Sequence, residues 1–248
     1  MIHPSSRRGR SDAPTAEQAL ERLRSLADPG SAAVLRRFFK TGPGQYGEGD
    51  SFLGIRVPAQ RRLARELATM SVSQAGKLLR SEEHEARSVA LMILSMQYAR
   101  GDERARKAIY ELYLASTRFI NNWDLVDSSA AQIVGAHLFD GDKAPLTKLA
   151  RSADLWERRI AIIATLHFIR QMQFAETLRI ATLLLHDEHD LIHKAVGWML
   201  REVGKRDLAS EKRFLDVYAS TMPRTMLRYA IERFPEDVRQ SYLRTGKP

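Results

Sequence analysis

The 248-residue chain contains no cysteine. That excludes disulfide staples and Cys-ligated zinc, and it suits a reducing compartment. No apolar run approaches the roughly 20 residues that a membrane-spanning helix needs. Met1 to Ala13 carry Arg7, Arg8 and Arg10 with no apolar segment behind them. The stretch therefore reads as a disordered basic tail rather than a signal peptide. Long apolar–polar alternation is rare, which leaves little room for strands. There is no Walker loop, dinucleotide fingerprint, GxSxG or HExxH, so no nucleotide cofactor or zinc hydrolase chemistry is indicated. Acidic residues are outnumbered, 30 against 39 Lys and Arg, for a net charge of +9. A basic protein of this kind attracts polyanions, nucleic acid foremost.

From Thr15 onward the chain is rich in Ala, Leu, Arg and Glu, with apolar residues spaced at three and four. Residues 17–26 and 32–39 read as amphipathic helices. The one long irregular stretch, 41–57, holds Gly42, Pro43, Gly44, Gly47, Gly49 and Gly54, and Pro58 then suits the first turn of a new helix. Similar segments recur beyond it. Arg87, Trp123, Arg159, Lys194 and Arg228 fall at steps of 36, 36, 35 and 34 residues. Helix-like segments 102–116, 174–185 and 210–219 lie between them. One step holds two helices and two turns, which predicts an all-α, HEAT-like solenoid of antiparallel helix pairs over residues 14–248 as a single domain. An irregular helical bundle is the competing architecture, and the near-constant step favours the solenoid.

Equivalent positions of stacked repeats line one surface. Four of the five markers are cationic, which predicts a basic concave face that tracks a phosphate backbone. The alternative is ion pairs between neighbouring repeats, such as Arg87 with Glu83. Against this basic background, Asn121-Asn122-Trp123-Asp124-Leu125-Val126-Asp127 places an indole and the Asp127 carboxylate one helical turn apart. Asp124 sits where the helix dipole favours an acid, so it reads as a helix-start residue. Asp127 has no such reason to be there; its alternative is a salt bridge to an arginine of the next repeat. Trp156 reads as core, and Arg159 as a surface cation. Lys194, Trp198, Arg201 and Lys205 follow at steps of four, three and four and form one stripe, an aromatic among cations that suits a sugar–phosphate chain. His186, His189 and His193 have metal-compatible spacing but straddle a turn; they read as solvated turn histidines, and no metal is expected.

Four segments resemble the AlkD-type DNA alkylation repair family of HEAT-like DNA glycosylases. They are Phe52-Leu53-Gly54-Ile55-Arg56-Val57-Pro58, Trp123-Asp124-Leu125-Val126-Asp127, Trp156-Glu157-Arg158-Arg159-Ile160-Ala161-Ile162 and Ile192-His193-Lys194-Ala195-Val196-Gly197-Trp198-Met199-Leu200-Arg201-Glu202. The resemblance runs from about Phe38 to the C-terminus. It implies excision of cationic N3- or N7-alkylated purines, such as 3-methyladenine and 7-methylguanine, without obligatory flipping of the base. By position it makes Asp127 the catalytic aspartate, Trp123 and Trp198 the indoles that embrace the deoxyribose, and Arg159 a DNA-contacting arginine. Arg56 departs from a glutamine of the family pattern, and Tyr46 falls close to a tyrosine of that pattern but out of register.

The resulting expectation is a monofunctional alkylpurine DNA glycosylase of base excision repair. Its catalytic set is Asp127, Trp123 and Trp198, and its DNA-binding set is Arg159, Lys194, Arg201, Arg87, Lys205 and Arg56. It needs no cofactor or metal, acts as a monomer on double-stranded DNA carrying alkylated bases, has no membrane partner, and is cytoplasmic at the nucleoid. The rival is a non-enzymatic helical-repeat module that binds DNA or a protein. A scaffold has no need of a carboxylate in a cationic groove, so the placement of Asp127 discriminates between the two.

Overall fold

The computed structural model describes residues 13–245, so the basic stretch 1–12 lies outside it. Among the described residues there is no strand, only an isolated bridge between Ser51 and Glu83. Helices follow one another in pairs: Val72–Leu78 with His84–Arg100, Ala144–Ala150 with Leu155–Ala164, Ala175–Leu183 with Asp190–Gly204, and Leu208–Tyr218 with Arg224–Ala230. In the pair that begins with Glu103–Leu114, the second member is broken. Trp123–Asp127 ends after five residues, and the chain resumes as a π-helical turn, Ala131–Gly135.

The second members form a row. Val57–Glu66 packs on His84–Arg100, which meets Trp123–Asp127, followed by Leu155–Ala164, Asp190–Gly204 and Arg224–Ala230. One continuous apolar core runs beneath them from Ala19 to Phe234. Each repeat thus covers the apolar face of its neighbour, which is how a solenoid is stabilised. No helix among the described residues is long and apolar enough to cross a membrane.

Local chemistry sets the helix starts. Asp154 accepts from the backbone N–H groups of Trp156 and Glu157 at 2.7 and 3.1 Å. Asp102 and Asp207 cap their helices in the same way. Asn122, itself buried, caps the short helix by accepting from the Trp123 N–H at 2.9 Å.

The glycine-rich segment is a sequence of turns fastened to the first repeats. Gly54 has φ +86°, and a Cβ there would lie 2.1 Å from the Asp28 carbonyl oxygen, so only glycine fits. The buried Glu85 carboxylate accepts from the backbone N–H groups of Leu53, Gly54 and Ile55 at 2.9, 2.8 and 3.1 Å. This sets Phe52 under Phe39, ring on ring, with centroids 5.0 Å apart. The segment thereby becomes a wall of the site described next.

Candidate functional site

A cavity of about 500 Å³ opens across four successive second-row helices. Trp123 and Asp127 come from the five-residue helix and Arg159 from Leu155–Ala164. Lys194, Trp198 and Arg201 come from Asp190–Gly204, and Tyr229 from Arg224–Ala230. Phe38 and Tyr46 close the N-terminal side. Residues 75 positions apart in the chain are therefore brought to one hollow by repeat stacking.

Asp127 is held from both oxygens. Arg159 Nε donates to Oδ1 at 2.9 Å and Nη2 donates to Oδ2 at 2.8 Å. Nη1 donates to the Leu191 carbonyl at 2.6 Å, so one guanidinium ties three repeats together. A planar fork suits this task where a lysine would not. Burial pushes the Asp127 carboxyl above the ordinary aspartate range, and the Arg159 charge pulls it back only in part. Each carboxylate oxygen keeps further lone pairs beyond those used by the arginine.

Trp123 is half-buried. Phe39 stacks against it at 5.3 Å and 23°, and Phe38 meets it edge-on at 5.9 Å. Trp198 is half-buried as well, with its indole N–H 3.3 Å from Glu202 Oε1. Both indoles are thus pinned on one side and open to the cavity on the other. Tyr229 reaches the cavity because Gly197 lets its helix come close; a Cβ on Gly197 would lie 2.5 Å from that of Tyr229.

Several sequence expectations need correction. Arg159 is not a surface cation: it is 5% exposed and committed to Asp127. Arg158, its neighbour, pairs with Asp187. Arg87 does not line a DNA-facing surface. It is 4% exposed, pairs with Asp50 rather than Glu83, and donates to the carbonyls of Ser81 and Glu82. Its Nε has no partner but is shut off from solvent, so it is out of reach of a phosphate. The row of cations therefore shrinks, among the markers, to Lys194 and the exposed Arg228. Lys194 and Arg201 line the cavity but are paired, with Asp190 at 2.7 Å and with Glu232. Lys205 is exposed, pairs with Glu202, and stands outside the cavity. Arg56 is exposed at the head of Val57–Glu66 and lines a neighbouring cleft instead. Trp156 is core, 7% exposed. Of the turn histidines, His189 caps its helix, accepting from the Leu191 N–H at 3.1 Å, and His193 contacts the Asp187 carbonyl.

Asp124 is more than a helix-start residue. Its Oδ2 lies 2.8 Å from His84 Nε2, and His84 Nδ1 lies 2.8 Å from Asp50 Oδ2. Burial alone would push this imidazole down; the hydrogen bonds and charges of Asp124 and Asp50 outweigh it and raise its pKa to about 9. Asp50 stays below the ordinary range despite burial, held there by His84 and Arg87. Asp50 also accepts from Asn122, the cap of the short helix, at 3.5 Å. This Arg87–Asp50–His84–Asp124 chain anchors a helix too short to hold itself. No motif announced it, since each bonded pair in it spans 34 to 40 residues.

Comparison with known proteins gives the same direction. The family model described as DNA alkylation repair enzyme matches residues 19–234. A solved structure from Enterococcus faecalis, titled as a predicted DNA alkylation repair enzyme, superposes with a TM-score of 0.64 at 18% identity. It covers 85% of this chain and 97% of its own, and at that identity it shows the shared fold alone. A Streptococcus mutans UA159 structure, smu.31, covers 87% of this chain and 95% of its own at 15% identity, with a TM-score of 0.49 that carries no argument. Among curated proteins none matches the chain.

Proposed function

Because the chain belongs to the DNA alkylation repair enzyme family, we propose that it is a monofunctional DNA glycosylase. Its substrates are N3- and N7-alkylated purines in double-stranded DNA, whose rings already carry positive charge. The observation that carries this reading is the meeting of Trp123, Asp127 and Trp198 in one cavity, with Lys194 and Arg201 at its edge. A salt bridge alone would explain Asp127 in a scaffold. It would not explain why the paired carboxylate lines an open hollow beside two indoles.

The chemistry needs little from the protein. As the N-glycosidic bond breaks, its electron pair leaves with the base and neutralises the purine ring. Positive charge appears on the sugar at C1′. Asp127, fixed by Arg159, presents a carboxylate to that charge, and such preorganised electrostatics act most strongly where water is thin. The indole faces of Trp123 and Trp198 add cation–π stabilisation and displace solvent from the sugar. Water then bonds to C1′, and its proton passes to solvent. Lys194 and Arg201 exchange their carboxylate partners for flanking phosphates as DNA seats.

Incubating methylated duplex DNA with the protein and assaying free bases and abasic sites tests the reading. Asp127→Asn should keep DNA binding but lower base release by on the order of 100-fold or more. Release at the wild-type rate would remove Asp127 from the mechanism. Wild-type protein that binds methylated DNA and frees no base would return the molecule to the non-enzymatic binding modules.

A further inference from the structure

Gly197 stands inside Asp190–Gly204, where a glycine weakens a helix. What it allows is proximity. A Cβ there would lie 2.4 Å from the Met226 carbonyl oxygen and 2.5 Å from the Tyr229 Cβ, so any other residue would push Arg224–Ala230 away. The close approach sets the Tyr229 phenol, 37% exposed, on the cavity wall beside Lys194 and Trp198. Lys194 and Trp198 are four residues apart on one helix face, about 5.4 Å along the axis. That is the order of the step from a deoxyribose to its own phosphate. Lys194 is held above the usual lysine range first by its bond to Asp190, and Tyr229 stands near enough to add to the effect. Asp190 has a second stabilising partner in the Thr225 side chain, from the same helix as Tyr229. Lys194 can therefore leave Asp190 without stranding a carboxylate. Tyr46, also in the cavity wall, is already turned edge-on to Trp156, with centroids 6.0 Å apart.

We infer that Tyr229 is a DNA-binding residue: its hydroxyl and the Lys194 ammonium together hold the non-bridging oxygens of the phosphodiester next to the sugar at Asp127. The inference rests on the glycosylase reading for the position of that sugar. It adds a donor that none of the motif segments contains. A phenol suits the place, because it donates to a phosphate oxygen without carrying a charge of its own. A second cation beside Lys194 would oppose the positive charge that develops at C1′. A phosphate kept close by an uncharged donor instead adds its negative charge to that of Asp127. Gly197 and Tyr229 thus act as a pair, the first by letting the second reach the strand.

Fluorescence anisotropy with the full chain reads affinity for three duplexes, each carrying one tetrahydrofuran residue, a deoxyribose analogue without a base. One duplex has natural phosphates. In the other two an uncharged methylphosphonate replaces the phosphate on the 5′ or on the 3′ side of that residue. Tyr229→Phe, with its melting temperature checked, should bind the natural duplex about tenfold more weakly than wild type, the usual worth of a hydrogen bond to a charged group. Most of that loss should vanish on one of the two methylphosphonate duplexes, because the uncharged group accepts weakly. Lys194→Ala should lose its penalty on that same duplex. Tyr229→Phe should also keep the wild-type slope of log affinity against log salt, since the phenol displaces no counterion. Wild-type affinity of Tyr229→Phe for the natural duplex, an equal loss on all three duplexes, or dependence of Tyr229 and Lys194 on different phosphates would each overturn the inference. So would a flattened salt slope for Tyr229→Phe. None of these measurements needs base release. Failure of the wild type to free methylated bases would remove the glycosylase reading, while the affinities still decide Tyr229.

Discussion

His84 lies between two carboxylates from different parts of the chain, 2.8 Å from Asp50 on one ring nitrogen and 2.8 Å from Asp124 on the other. It also stacks on Phe52, with centroids 4.4 Å apart, and so joins the polar anchor to the aromatic wall behind Trp123. Its folded pKa of about 9 stands above the ordinary value of 6.5. The stabilisation is therefore complete below the ordinary value and is lost as pH rises through about 9. By linkage it amounts to something on the order of 3 kcal/mol. Chemical denaturation across that window should show wild-type stability falling with pH, and His84→Gln should lose this component of the slope. Equal slopes for the two proteins would show that the imidazole is not charged in the fold.

Arg159 is committed to Asp127 and to the Leu191 carbonyl, so Arg159→Ala should leave the salt dependence of binding to undamaged duplex unchanged. Lys194, 38% exposed and paired only with Asp190, can exchange that partner for a phosphate. Lys194→Ala should flatten the slope of log affinity against log salt by about 0.9. Arg159→Lys should nonetheless impair release, because a lysine cannot hold both oxygens of Asp127. Salt titrations of the three variants decide the matter; a flattened slope for Arg159→Ala would put the arginine on the phosphate backbone after all.

The carboxyl of Asp127 is shifted upward by burial, against the opposing charge of Arg159. The proposed mechanism uses the ionised form. Release should therefore fall on acidification with a midpoint above the ordinary aspartate value of 3.8, and it should not fall again on the alkaline side through this group. Single-turnover release against pH, on protein shown to remain folded, gives the midpoint. A rate that holds steady down into the ordinary carboxylate range would refute the shift.

The repeat was legible because a solenoid writes itself locally. Apolar spacing, capping residues and the 34- to 36-residue step recur in the chain itself. The segments 102–116, 174–185 and 210–219 were readable for that reason, and the structure has helices there at Glu103–Leu114, Ala175–Leu183 and Leu208–Tyr218. The pairing of charges was legible only as an alternative: a salt bridge from Asp127 to an arginine of the next repeat was foreseeable, while the Arg87–Asp50 pair was not. Arg87 and Arg159 look alike in sequence, both at marker positions, and both turn inward to aspartates contributed by preceding segments, Asp50 and Asp127. Whether an arginine on a helix start faces solvent or a neighbour depends on what the previous repeat offers at that height. Nothing in a single helix encodes this. Phe38, Tyr46 and Tyr229 were missed as cavity residues for the same reason, since each enters from an element outside the motif segments.

Glu211 offers a stability test away from the site. It is 2% exposed, its Oε1 has no partner, and its side chain fills the space that a Cβ on Gly204 would need. Burial raises its pKa from 4.5 to about 8, with the Arg201 charge opposing too weakly to prevent it. Folding therefore holds a proton on this carboxyl that the unfolded chain releases above its ordinary value. Stability conferred by the protonated form declines as pH rises from about 4.5 and is gone above about 8, where the fold must carry a buried charge. Glu211→Gln keeps the shape and removes the charge. Its melting temperature should match wild type near the ordinary carboxylate value and exceed it progressively toward alkaline pH, by an amount equivalent to a few kcal/mol. His84 falls away in an overlapping range, so the difference curve between this variant and wild type is the quantity to read, because His84 contributes equally to both. A flat difference curve would mean that Glu211 ionises freely, with Arg201 turned toward it rather than toward Glu232.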